Sequence, residues 1–294
     1  MFYRRKIILA LLELFGGELE KIRLQKLLFL FSQQQTKPEY EFIPYKYGCY
    51  SYSANADLTT MVAKSMLIEN TSSFVKSDKT SYLKLLKLED KLKLNSIKSL
   101  YGAMNSDALM KHTYKNFPYW AINSVKAASI LTSEELKNVK KHKSTNDSIT
   151  LFTIGYEGIS LEGYLNRLVQ NNVKLLIDVR RNPLSMKFGF SKSLLKRYCE
   201  SLDIYYLHIP EVGIVSDQRQ ELNTQSDYDA LFKVYRKENL VNTKAEQQQI
   251  LNLLVKYKRV ALTCFEANIC QCHRKHLADA IVDLPNFDYQ LKHI

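Results

Sequence analysis

From Leu151 to Ile281, short apolar runs alternate with amphipathic stretches, and this alternation restricts the fold more than any other feature of the chain. Leu151-Phe152-Thr153-Ile154 ends at Gly155, and Ser160 is placed to cap a helix running to Gln170. Lys174-Leu175-Leu176-Ile177-Asp178-Val179 reads as a buried strand, followed by Arg180-Arg181-Asn182-Pro183. A helix from Ser191 to Ser201 leads to the aromatic strand Ile204-Tyr205-Tyr206-Leu207-His208, which Pro210 stops. Ala245 to Tyr257 forms another helix, Val260-Ala261-Leu262-Thr263 the next strand, and His273 to Ile281 a last helix. Strands separated by helices are joined by crossovers, so this order predicts an α/β domain with a mainly parallel sheet flanked by helices on both faces.

The first half reads differently. Apolar positions at helical spacing over residues 3–15 stop at Gly16-Gly17, and a second amphipathic helix follows through Ile22, Leu24, Leu27, Leu28 and Leu30, with Lys21, Arg23 and Lys26 on its polar side. Aromatic residues alternate from Tyr40 to Ser51 as in a short β element with a turn at Gly48, and Asp57 is placed as the cap of a helix through Leu67. Helix, helix, short β element, helix is the order of a mainly α, winged-helix-like domain. The lysine-rich run Lys137–Lys143, leading into Ser144-Thr145-Asn146-Asp147-Ser148, marks the boundary, giving domains over 1–145 and 148–294.

Composition narrows the classes of function. A chain of 294 residues, 46% hydrophobic and 24% charged, is large enough for two cores. The apolar stretch Ile7–Phe15 is interrupted by Glu13, is too short to span a bilayer and precedes no cleavage-site pattern, so no membrane association is expected. Five cysteines, with Cys49 and Cys199 far from Cys264, Cys270 and Cys272, suit a reduced cytoplasmic protein better than a disulfide framework. The net charge of +12 is uneven: residues 1–147 carry 23 Lys and Arg against 14 Asp and Glu, whereas residues 148–294 carry 19 against 16. This asymmetry favours DNA or RNA as a partner of the first domain, and a solvated basic surface is the plainer alternative.

The residues that carry chemistry gather at strand ends. Cys264 and Glu266 leave one strand, Cys272-His273-Arg274 open the following helix, Asp178 and Arg180 leave a second strand, and His208 leaves a third. Parallel strands bring such ends side by side, where open α/β sheets bind ligands. Glu266 suits general acid or base work, because burial beside an apolar strand raises a carboxylate's pKa, and a salt bridge to Arg274 is its structural alternative. Asp178 serves either the reaction directly or an ion pair with Arg180 or Arg274. Cys264 and His273 suit a thiol nucleophile and its base, or Cys264 and Cys272 simply pack the junction. Arg180 and Arg274, with the helix N-terminus at Cys272, suit an anion or nucleotide, and Gly155-Tyr156 forms a turn that approaches it. His208 is either catalytic or a satisfied strand-end histidine. Cys264, Cys270, Cys272, His273 and His276 supply enough metal ligands, yet without a paired CxxC or HxxxH the expectation is no metal and no other cofactor.

Two family resemblances follow from these motifs. Leu24-Gln25-Lys26-Leu27-Leu28-Phe29-Leu30, Tyr45-Lys46-Tyr47-Gly48 with Tyr50-Ser51, Asp107-Ala108-Leu109, Tyr114, Phe117-Pro118-Tyr119-Trp120-Ala121 and Asn123-Ser124 resemble the YwgA-like family, which is similar to Panacea-type antitoxin domains. Cys49 stands where a proline is usual. This resemblance implies a winged-helix-like interaction module over residues 1–145, without established catalytic residues. Thr153-Ile154-Gly155-Tyr156, Asp178-Val179-Arg180 with Pro183 and Ser185, Gly189-Phe190-Ser191, His208, Cys264-x-Glu266 and Cys272-His273-Arg274 resemble the Domain of Unknown Function 488 family. It implies a compact α/β domain in which these positions cluster. The usual double-glycine loop reads Val212-Gly213-Ile214-Val215 in this chain.

The resulting expectation is a nucleic-acid-associated enzyme that processes a nucleotide, base or phosphate ester by N-glycosidic or phosphoester hydrolysis. The alternatives are a DNA-binding regulator that senses a small anionic ligand, and an antitoxin-like or defence-associated module that grips a protein partner.

Overall fold

The computed structural model describes residues 1–215 and 222–294. The chain divides into two compact units, Met1–Lys143 and Ser144–Ile294.

In the first unit, α1 (Tyr3–Leu14) buries Ile7 to Leu12 and ends at Gly16 and Gly17, both at a φ of 90°. That left-handed backbone is open to glycine without penalty and breaks the helix. β1 (Glu18–Glu20) precedes α2 (Lys21–Ser32), and the hairpin β2 (Ile43–Tyr45) and β3 (Gly48–Tyr50) follows. Gly48 has a φ of 82°, and a Cβ there would lie 2.4 Å from Tyr114 Cε1, so both backbone and packing require glycine. α3 (Tyr52–Ala63) is followed by β4 (Leu67–Glu69) and β5 (Ser73–Lys76), which with β1 form an antiparallel sheet in the order β1-β5-β4. α4 (Leu88–Tyr101), α5 (Ser106–Asn116), α6 (Ala127–Ile130) and α7 (Ser133–Lys141) complete the unit.

Two residues depart from the sequence reading. Ser51, not Asp57, caps α3, its Oγ accepting from Ala54 N at 3.1 Å. Asp57 lies mid-helix and buried, held by Arg4 Nε at 2.5 Å, Arg5 Nε at 2.6 Å and the Tyr40 hydroxyl at 2.9 Å. Lys26 is not on a solvated face: it is 1% exposed and donates from Nζ to the Cys49 carbonyl at 2.9 Å. The hairpin closes over that face of α2, and burial pushes the Lys26 ammonium's pKa down.

The second unit alternates strand and helix: β6 (Thr150–Gly155), α8 (Leu161–Gln170), β7 (Leu175–Asp178), α9 (Lys192–Glu200), β8 (Tyr205–His208), α10 (Gln225–Lys237), α11 (Asn239–Asn242), α12 (Lys244–Tyr257), β9 (Arg259–Cys264), α13 (His273–Val282) and β10 (Gln290–His293). The five strands form a parallel sheet in the order β10-β6-β9-β7-β8. β6, β7 and β9 are buried at every position, so helices cover both faces. Leu151, Leu175, Ile177, Val179, Val260, Leu262 and Cys264 pack with α10, α12 and α13. The alternate residues point the other way, and Thr263 accepts a 2.9 Å hydrogen bond from Tyr164 of α8. Ser160 caps α8 as the sequence predicts, its Oγ accepting from Gly163 N at 2.9 Å. Among the described residues, no helix is long and apolar enough to cross a membrane.

Candidate functional site

Strand register brings the predicted residues to one edge of the sheet. Gly155 pairs with Cys264, Asp178 with Thr263, and Asp178 also with His208. Side chains alternate along a strand, however, so Cys264 projects toward α13 whereas Asp178, level with Thr263, projects toward α8 and α9. The acids and guanidinium groups expected in one pocket therefore form two clusters, one on each face.

The first cluster is built on Asp178, which is wholly buried. Arg180 Nε donates to its Oδ1 at 2.8 Å and Arg180 Nη2 to its Oδ2 at 2.5 Å, while the Tyr206 hydroxyl donates to Oδ2 at 2.7 Å. Arg180 Nη1 reaches the Tyr156 hydroxyl at 2.7 Å and the Phe190 carbonyl at 2.9 Å. Hydrogen bonds and charge attraction from Asp178 outweigh burial and push the pKa of Arg180 up. Tyr156 stacks on Phe190 with ring centroids 4.2 Å apart and meets Phe265 edge-on at 5.3 Å. Asp178 thus fixes Arg180 and, through it, Tyr156.

His208 also has structural partners. Its Nε2 lies 2.9 Å from the Arg180 carbonyl and its Nδ1 lies 3.0 Å from Lys192 Nζ. A carbonyl only accepts and an ammonium only donates, so this arrangement has Nε2 as the donor and Nδ1 as the acceptor.

The second cluster lies at the junction of β9 and α13. Cys264 Sγ donates to Glu266 Oε2 at 3.1 Å and sits 3.6 Å from His273 Nδ1. His273 Nε2 is 3.1 Å from the Val179 carbonyl, which fixes the proton on Nε2 and turns the Nδ1 lone pair toward the thiol. Cys272 precedes His273, and the ligand atoms of Cys264, Cys272 and His273 all lie within 4.8 Å of one another, with all three residues buried. Burial, followed by the neighbouring Cys264, pushes the Cys272 thiol's pKa well up. Neither cysteine forms a disulfide.

Arg274 does not present its guanidinium as a free fork. It donates from Nη1 to the Glu266 carbonyl and from Nη2 to the Ala267 carbonyl at 3.3 Å, bracing the turn between β9 and α13. Gly155 packs against the same turn: a Cβ on it would stand 2.0 Å from the Glu266 carbonyl oxygen and 3.1 Å from Arg274 Nη1. Tyr156 and Glu157 donate their backbone N–H groups to the Phe265 carbonyl at 3.0 and 2.9 Å.

A cavity of about 290 Å³ opens over the strand ends. Tyr156, Arg180 and Cys264 line it, so it touches both clusters, and Arg181, Asn182, Ser185 and Phe265 complete its polar and aromatic wall. Arg181, Asn182 and Phe265 were missed as site residues, and Ser185 was named only within the family motif. For Arg181, Asn182 and Ser185 the signal is the polar run directly after the buried strand that ends at Asp178, and for Phe265 it is the place directly after Cys264 at the end of β9, both positions where α/β sheets bind ligands.

The first unit has its own cavity of about 310 Å³, lined by residues including Lys21, Lys26, Tyr45, Tyr47 and Tyr50. Tyr45, Tyr50 and Tyr52 pack on one another with centroids 5.1 to 5.8 Å apart, while Tyr47 is exposed.

The chain matches no curated protein. The stretch that carries α8, β7, β8, β9, both clusters except Tyr156, and nearly all of α13 is similar to one known family: residues 160–281 match the family model described as Domain of unknown function DUF488.

Proposed function

We propose that the second unit hydrolyses an N-glycosidic or phosphoester bond in a nucleotide or nucleic-acid substrate held in the 290 Å³ cavity. The observation that supports this reading best is the contact of Cys264 Sγ with Glu266 Oε2, at 3.1 Å, where Cys264 enters the cavity wall. A carboxylate at that place can take a proton from an attacking water and return it to the leaving group, a contribution of roughly 10²–10⁴-fold in rate. Arg181 and Asn182, both exposed, and Ser185 offer donors to an anionic substrate, and Phe265, 42% exposed, offers a face on which a base can stack. Asp178, His208 and Arg274 act as positioning residues, because the Asp178 carboxylate, both His208 ring nitrogens and Nη1 and Nη2 of Arg274 hold protein partners.

In the same reading the first unit is a winged-helix-type module that carries the protein to DNA or RNA. Its excess of Lys and Arg and the exposed Tyr47 support this assignment. A screen of nucleotides, nucleosides and phosphodiesters tests the hydrolytic assignment. Turnover that falls roughly 10²–10⁴-fold in Glu266→Gln is expected; a variant as active as wild type removes Glu266 from the reaction.

A further inference from the structure

The buried group at the start of α13 supports an inference that goes beyond hydrolysis and does not depend on it. We propose that Cys264, Cys272 and His273 hold a divalent zinc ion, with a fourth coordination position opening toward the cavity through Cys264.

Geometry supplies the first reason. Zinc at about 2.3 Å from sulfur and 2.0–2.1 Å from imidazole nitrogen, with tetrahedral angles, sets a sulfur-to-nitrogen edge of about 3.5 Å. Cys264 Sγ and His273 Nδ1 are 3.6 Å apart, and all three ligand atoms fall within 4.8 Å. The sites therefore need only closing movements of the side chains, not rearrangement of the strand or helix.

Orientation supplies the second. A metal-binding histidine characteristically donates its other ring N–H to a carbonyl or carboxylate, which fixes the tautomer and aims the ligating lone pair. His273 does this through Nε2 to the Val179 carbonyl at 3.1 Å, leaving Nδ1 directed at Cys264.

Charge supplies the third. His273 and Cys272 are wholly buried and Cys264 is 1% exposed, an environment hostile to an isolated ion. Each thiol releases its proton on binding, so the ligand set of two thiolates, one neutral imidazole and one Zn²⁺ sums to zero charge, and Cys264 exchanges its hydrogen bond to Glu266 Oε2 for the bond to the metal. Two sulfurs and an imidazole also favour zinc over the oxygen-preferring Mg²⁺ and Ca²⁺. Cys264 alone of the three lines the cavity, so a bound water or substrate atom on that side would lie beside Glu266 Oε2.

The test uses the full chain after chelator treatment. Titration with Co²⁺ is expected to produce sulfur-to-cobalt charge-transfer absorption that saturates at one ion per chain and is displaced by Zn²⁺. X-ray absorption at the zinc edge of the loaded wild-type protein is expected to show two sulfur neighbours and an imidazole nitrogen, a readout that needs no variant to fold. Cys272→Ser is expected to weaken binding by more than the roughly 10–100-fold that loss of an outer-shell partner costs. Cys270→Ser, at an exposed position, is expected to leave affinity unchanged. No charge-transfer band in the wild-type protein, fewer than two sulfur neighbours, or a band that disappears with Cys270→Ser overturns the site. Metal binding as described without hydrolysis of any tested substrate upholds the site and counts against the proposed function. Hydrolysis with no metal bound does the reverse.

Discussion

Asp178 grips Arg180 with both carboxylate oxygens, and neither side chain is more than 6% exposed. The pair closes a ring at the end of β7: Arg180 N also donates to Asp178 Oδ1 at 3.2 Å, and the guanidinium continues to Tyr156 in the cavity wall. Removing the carboxylate charge leaves the guanidinium buried without its counterion. Asp178→Asn is therefore expected to lower unfolding stability by about 3–5 kcal/mol. Urea denaturation measures this, and replacing Arg180 with Met in the Asn variant should recover much of the loss, since the stranded cation is then gone.

His208 provides the contrast with Glu266. Its ring is occupied by the Arg180 carbonyl and Lys192, and it does not line the cavity. His208→Gln is expected to cost about 1 kcal/mol, the scale of one or two hydrogen bonds, and to leave kcat within a few-fold of wild type. A loss of kcat comparable to that of Glu266→Gln, with unfolding stability preserved, would instead assign His208 to the reaction.

Local chemistry made much of the second unit legible. Ser160 announced the start of α8, Gly155 the end of β6, and the apolar run before Asp178 a strand buried on both faces. β10 carried no such signal, because Gln290–His293 is an edge strand with polar, mostly exposed residues. α10 did carry one, since Tyr228, Leu231, Phe232 and Tyr235 recur at helical spacing and pack into the core. The site was legible in part. Strand ends correctly placed Cys264, Asp178 and His208 along one edge, but which residue of β7 stands beside which residue of β9 is set by pairing. That register turned Asp178 and Cys264 to opposite faces. Arg274 and Asp57 show the same limit from another side: a charged residue's partner, whether substrate, carbonyl or ion, is decided by what folds against it.

Lys26 predicts a pH-dependent difference in stability. Its ordinary pKa of 10.5 is lowered in the folded protein by burial, so the folded state disfavours the ammonium that the unfolded chain carries. Sites of this kind lose stability as pH falls through the unfolded pKa toward the folded one. Lys26→Met removes that dependence along with the hydrogen bond to the Cys49 carbonyl. Relative to wild type, the variant's unfolding free energy is expected to improve as pH is lowered below 10.5. Urea curves at several pH values check the slope, and parallel curves for the two proteins would show that the ammonium carries no penalty.

His276 works in the acidic range. Burial, then repulsion from Arg236 and Lys275, lowers its pKa from 6.5 to about 4, with Asp229 opposing the shift. Arg236 Nη1 lies 3.2 Å from Nδ1 and Phe232 packs on the ring at 4.5 Å, both of which suit neutral imidazole. Above pH 6.5 the ring is neutral whether the chain is folded or not, and the group contributes no slope. Between pH 6.5 and 4 the unfolded chain takes up a proton that the folded one refuses, so stability falls as pH falls. Below 4 both states are protonated and the loss is complete. His276→Gln is expected to flatten this limb of the stability profile, read as Tm against pH from 7 to 4. Because His276 lies one turn beyond His273 on α13, the same titration also reports on the helix that carries the buried cysteine–histidine group. A profile for the Gln variant as steep as that of wild type would place the acid sensitivity elsewhere in the second unit.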